Sequence, residues 1–138
     1  MTVLVVDASV AAKWHLPEPD SPAAVALLGQ GLDLKAPALL REEILAAITR
    51  AYRNGRVIRG AAEQLVLDAS AMFTAGAVDL VDTSPLHPRA ANIALDLKYP
   101  FIDCLYIALA EREGCDLVTT DATLLSRAQA HFSFVKAL

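Results

Sequence analysis

Four apolar residues in a row, Val3-Leu4-Val5-Val6, three of them β-branched, are followed at once by Asp7. A continuous apolar run of this length suits a strand covered on both faces, and such strands occur in parallel sheets lying between layers of helix. No basic segment precedes the run and Asp7 breaks it, so it reads as a strand and not as a secretory signal. No stretch approaches the length of a membrane span.

The rest of the chain supplies the helices that such a sheet demands. Ser9 to Trp14 suits a short helix, Pro17 to Pro22 is a polar break, and Ser21 can cap a second helix running to about Gly31. Leu34 to Pro37 reads as a second strand. From about Leu39 to Asn54, Leu40, Ile44, Leu45, Ala47 and Ile48 recur at helical spacing, and Asn54-Gly55 is a stop. A fourth helix is expected from Arg59 to Ala75, closed by Gly76, with a strand from Val78 to Val81. Pro85 or Pro88 opens a helix through Leu97, Lys98 to Pro100 breaks it, and Ile102 to Glu113 forms the next, ending at Gly114. Leu117 to Thr119 is a strand, Asp121 to Ala130 a last helix, and Phe132 to Val135 a closing strand.

Helix and strand alternate with connections too long for hairpins, which implies a three-layer α/β/α arrangement around a mostly parallel sheet. At 138 residues the chain is expected to be one domain, 1–138. Cys104 and Cys115 form no CxxC pair, which fits a reduced cytoplasmic setting, and the three histidines are scattered without zinc-ligand spacing. A net charge of −4 argues against broad electrostatic binding of nucleic acid, so any such site must be local.

Two acids stand where an open α/β sheet gathers its ligands, outside the carboxyl ends of strands: Asp7 after Val3–Val6, and Asp121 after Leu117–Thr120. Asp103, at the start of an apolar helix, and Glu43, one turn into its own, can join them. Four clustered acids repel unless a cation neutralises them, and Mg²⁺ or Mn²⁺ takes carboxylate oxygens while retaining waters. The competing reading is helix capping, since Asp7, Asp103 and Asp121 each stand where an N-cap Asp stands. Glu43 lies inside a helix, where capping is not needed.

Val5-Val6-Asp7-Ala8-Ser9-Val10-Ala11-Ala12-Lys13-Trp14 resembles the opening of PIN-domain toxins of the VapC type. Ala36-Pro37 followed by Glu43, then Ile102-Asp103-Cys104-Leu105-Tyr106-Ile107-Ala108-Leu109-Ala110, then Leu117-Val118-Thr119-Thr120-Asp121, resemble the later acidic motifs in the same order. The resemblance implies a PIN-like fold and a Mg²⁺- or Mn²⁺-dependent endoribonuclease, the toxin of a toxin–antitoxin pair, with an antitoxin protein as partner and a homodimeric state. It carries over Asp7, Glu43, Asp103 and Asp121 as the acidic, metal-holding site, with Ser9 and Thr119 as supporting hydroxyls. Two positions depart from the pattern: Ala46 stands where many relatives have Asn, and Ile102 where many have Tyr. Both bear on the hydrogen bonds that orient the acids.

RNA contact is assigned to Arg50 and Arg53, with Arg56 and Arg59 beside them, and to Lys13 and Arg41 nearer the acids. The alternative for the arginine cluster is interaction with a helix C-terminus. Trp14 and Leu16 are candidates for an antitoxin or dimer contact, with burial in the core as the alternative. Two other readings of the acids are a degenerate, metal-free interaction module and a phosphoacceptor domain. The second is opposed by Asp7-Ala8-Ser9, which lacks an adjacent second acid.

Overall fold

The computed structural model describes residues 2–138. Strands β1 (Val3–Val6), β2 (Asp33–Pro37), β3 (Asp79–Val81), β4 (Asp116–Thr119) and β5 (Val135–Ala137) form one sheet in the order β3-β2-β1-β4-β5. All four pairings are parallel, so the sheet is wholly and not just mostly parallel. Val5 and Val6 of the central strand are both fully buried, as expected of a strand covered on two faces.

The helices are α1 (Ala8–Ala11), α2 (Ser21–Ala26), α3 (Leu40–Arg53), α4 (Arg59–Thr74), α5 (His87–Leu97), α6 (Phe101–Glu113) and α7 (Ala122–Ala128). In α6 the seven residues Cys104–Ala110 are all buried, which a helix achieves only when packed on every side. It lies against β1, β2 and β4 and pairs with α5. Its end follows the sequence reading, with Gly114 at φ 64° closing the helix in a conformation that glycine adopts without steric cost. Cys104 and Cys115 are free thiols. Among the described residues no helix is long and apolar enough to cross a membrane.

Several boundaries differ from expectation, each for a local reason. The first helix starts at Ala8, because Asp7 takes the N-cap and accepts from Val10 N, and its end tightens to a 3-10 turn over Ala12–Trp14. Ser21 is the first residue of α2 and not its cap: Asp20 holds that position, while the Ser21 hydroxyl accepts from Glu18 N at 2.9 Å. That helix stops at Ala26 and continues as a 3-10 turn over Leu27–Gly29. Helix α6 begins at Phe101 after Pro100. The last strand is Val135–Ala137, not Phe132–Val135. Phe132 N–H still bonds back to Ala128 O, and the Phe132 and Phe134 rings pack together in the turn before the strand.

His15 lies at the end of the first helical segment with Nε2 buried and without a hydrogen-bond partner among the described residues. Burial lowers its pKa from 6.5, and the charge of Asp68 only partly opposes this. A lowered folded-state pKa means that the unfolded chain binds the proton first, so the folded state loses stability as pH falls below the unfolded value of 6.5. We expect thermal unfolding between pH about 7.5 and about 5 to show a steeper loss for the wild type than for His15→Phe. Equal slopes for the two proteins would remove His15 as the cause.

Candidate functional site

Strand order reverses between β1 and β4: the chain leaves β1 for β2 on one side and later returns to pair β4 on the other. The crevice at the carboxyl ends of strands at such a reversal is where open α/β sheets receive ligands. Asp7 follows β1 directly, and its backbone N–H reaches across to Val118 O of β4 at 3.3 Å. Asp121 follows β4 by two residues and caps α7, its Oδ1 accepting from Thr123 N at 2.9 Å and Leu124 N at 3.2 Å.

Asp7 is only 5 % exposed, and its carboxylate is held by a small relay. Ser9 Oγ donates to Oδ1 at 2.6 Å, Val10 N donates to the same oxygen at 3.2 Å, and Thr119 Oγ1 donates to Oδ2. Each hydroxyl accepts in turn from a backbone N–H after β4, Thr120 N to Ser9 Oγ and Asp121 N to Thr119 Oγ1, both at 3.0 Å. Every proton in this relay is directed toward Asp7. Burial still holds the Asp7 pKa above the ordinary carboxylate value, with Asp121 reinforcing it and the three hydrogen bonds opposing it.

Glu43 enters from the first turn of α3, where its charge also suits the helix N-terminus. Asp103 enters from the first turn of α6. It is the third residue of that helix, and Pro100 is the N-cap, so the capping alternative fails for Asp103. For Asp7 and Asp121 capping is observed, and it leaves other lone pairs free for a further ligand. The pKa values of Glu43 and Asp103 are both raised, first by burial and then by neighbouring acids: Asp103 and Asp7 act on Glu43, and Asp121 and Asp7 act on Asp103.

Two tyrosines complete the edge, and the sequence reading missed both. Tyr106, one helical turn after Asp103, donates its hydroxyl to Glu43 Oε1. Tyr99, in the break between α5 and α6, donates to Asp121 Oδ2 at 3.3 Å. Burial and the nearby acids push the Tyr99 pKa up to about 12 and raise that of Tyr106 as well, so both stay protonated donors. The signal for Tyr106 was present in the sequence, because positions three apart on a helix share a face.

The donor set is composed of hard oxygens of the kind a divalent cation takes. Among the described residues, however, no three His, Cys, Asp or Glu side chains come together closely enough to hold a metal ion by themselves. This fits Mg²⁺, which keeps several waters and commonly uses one or two carboxylates together with substrate phosphate.

Beside the acids, a cleft of about 290 Å³ between α1 and α3 is lined by Ala8, Ser9, Ala12, Glu43, Ala46, Ala47 and Arg50. Ala46 thus leaves room next to Glu43. An adjoining hollow continues past Lys13 and Arg50 to Asn54 and Arg56. Lys13 is paired with Asp20 at 3.0 Å, Arg56 with Glu18 at 2.8 Å and Arg59 with Glu63 at 2.9 Å. Arg41, Arg50 and Arg53 are exposed and form no ion pair among the described residues, and of these Arg50 lines the cleft.

Trp14 is half-buried against the core, with Nε1 donating to Ala24 O at 2.8 Å. Leu16 is 5 % exposed. Both pack at the corner between α1 and α2, and the more open apolar side chains lie elsewhere, among them Ile58 and Leu67 at and on α4 and Leu95 on α5. Ile102 is exposed and makes no polar contact with the acids, so nothing at that position orients Asp103.

No curated protein sequence matches the chain. Among solved structures, the VapC20 toxin of Mycobacterium tuberculosis, described as cleaving the sarcin–ricin loop, superimposes with a TM-score of 0.69 at 18 % identity, over 96 % of this chain and 98 % of that one. The identity is low and the likeness is one of fold. The family model for the PIN domain matches residues 4–130. With the match spanning four of the five strands and every acid of the edge, the chain belongs to the PIN-domain family.

Proposed function

We propose that the chain is a Mg²⁺- or Mn²⁺-dependent endoribonuclease that acts as the toxin of a toxin–antitoxin pair. What supports this reading is that Asp7 and Asp121 follow the two strands at the order reversal, that Glu43 and Asp103 stand in the first turns of α3 and α6, and that the acids raise one another's pKa values, Asp121 that of Asp7, Asp103 and Asp7 that of Glu43, and Asp121 and Asp7 that of Asp103. Such an arrangement stores repulsion that a cation relieves. RNA as substrate is supported by family membership and by the fold shared with a toxin that cleaves the sarcin–ricin loop.

In this reading Asp7 and Asp103 are the principal cation ligands, with Glu43 and Asp121 completing the site directly or through water. A bound cation would lower the pKa of a coordinated water and neutralise charge on the phosphoryl oxygens. The protein's own contribution is to hold the ligands still. Ser9 and Thr119 fix both oxygens of Asp7, and Tyr99 and two backbone N–H groups fix Asp121. Arg50, which lines the cleft and forms no ion pair among the described residues, is situated to grip a phosphate of the RNA strand, with Lys13 nearby. A cognate antitoxin protein and a second copy of the chain are the proposed protein partners.

The direct test is cleavage of structured RNA by the purified protein with Mg²⁺ or Mn²⁺. We expect a chelator to abolish cleavage and added cation to restore it. Cleavage that persists in chelator would show the cation to be unnecessary. Absence of both cleavage and cation binding would favour a metal-free interaction module.

A further inference from the structure

We propose that Tyr106 is a positioning residue, the tether that aims the Glu43 carboxylate at the acidic edge. The role assigned to Glu43 here rests on the ribonuclease reading above, whereas the tether itself does not. Tyr106 is among the largest fully buried side chains, and its hydroxyl donates to Glu43 Oε1 across 63 positions of sequence, from α6 to α3. A buried tyrosine hydroxyl needs a partner, and Glu43 is its hydrogen-bond partner among the described residues. The dependence also runs the other way. Glu43 has no other side-chain or backbone donor among the described residues, and the next turn of α3 presents Ala46, which has no polar side-chain atom.

The same helix face carries Asp103 and, three residues on, Tyr106. Helix α6 therefore delivers one acid itself and fixes a second acid borne by another helix, so the separation of Asp103 and Glu43 is set by one helix, buried throughout from Cys104 to Ala110. Glu43 is followed on α3 by Ile44-Leu45-Ala46-Ala47, none of which offers its carboxylate a side-chain donor, so without this bond it would sample several rotamers, and a ligand that samples several positions binds a cation less well.

The test is a double-mutant cycle of Tyr106→Phe and Glu43→Met, which keeps the side-chain length but offers the tyrosine no oxygen, with three readouts on each protein. In the metal-free protein, unfolding should show coupling: Tyr106→Phe has a different effect in the Glu43→Met background than in the wild type. In calorimetry with Mn²⁺ alone, Tyr106→Phe should weaken binding by roughly 10-fold in the wild type and have no further effect once Glu43 is Met. In RNA cleavage kcat should fall by a similar factor with KM unchanged. Equal effects of Tyr106→Phe in both backgrounds overturn the tether, because a purely structural tyrosine acts without regard to Glu43. If the wild type binds no Mn²⁺ but unfolding shows the coupling, the tether stands and the ribonuclease reading fails.

Discussion

Asp103→Asn is expected to lower RNA cleavage by at least about 100-fold while the protein stays folded. Removing one negative charge weakens the hold on a hard cation and on the charge developing at phosphorus. Stability should move the other way. The Asp103 pKa is raised in the folded state, first by burial and then by Asp121 and Asp7, against a bond from its own backbone N–H, and Asp103 is not the N-cap of its helix. Such a group contributes stability below its unfolded pKa of 3.8, and that contribution is lost as pH rises through the folded value. At neutral pH the ionised Asp103 is therefore a burden on the metal-free fold, and Asn relieves it, so the melting temperature should rise or stay the same. Asp7→Asn should abolish cleavage equally, yet it differs in stability. Asn still caps α1, but its amide has one acceptor oxygen where the carboxylate offers two, and with that oxygen accepting from Val10 N and Ser9 the NH₂ group would face the Thr119 hydroxyl. Paired cleavage and melting measurements on the two variants check this, and wild-type cation-dependent cleavage in both would remove these acids as ligands.

Thr119→Val is the second large effect, and it falls on stability and activity together. Valine matches threonine in shape but provides neither the proton donated to Asp7 Oδ2 nor the oxygen that accepts from Asp121 N. Thr119 is completely buried, so water cannot replace either bond. A buried group left unpaired costs roughly 1–3 kcal/mol, more when charged, so two such groups should lower the unfolding free energy by about 2–4 kcal/mol. Cleavage should fall as well, because Asp7 loses the partner that fixes its second oxygen. Urea unfolding that shows no destabilisation would mean that Asp7 is held by other means. Ser9→Ala should behave more mildly, since Ser9 is only half-buried and water can take over part of its bonding.

The sequence by itself determined the layers and the place of the acids along the chain. The run Val3–Val6 has to be covered on both faces, the apolar stretch Cys104–Ala110 has to be packed on every side, and Gly114 stops α6 where a left-handed residue is needed. These are local demands of hydrophobicity and backbone sterics, so they are legible one segment at a time. From them Asp7 and Asp121 fall at the ends of strands and Glu43 and Asp103 near the starts of helices. Tertiary structure alone decided which strands are neighbours, and so where the order reverses between β1 and β4. It also decided that Asp103 is no cap, that Leu16 faces inward, and that the last strand starts at Val135, where the register against Leu117 places it. The bonds of Tyr106 to Glu43 and of Thr119 to Asp7 join residues 63 and 112 positions apart. No periodicity or local propensity records such a pairing, because its partners meet only when separate helices and strands are packed into one sheet.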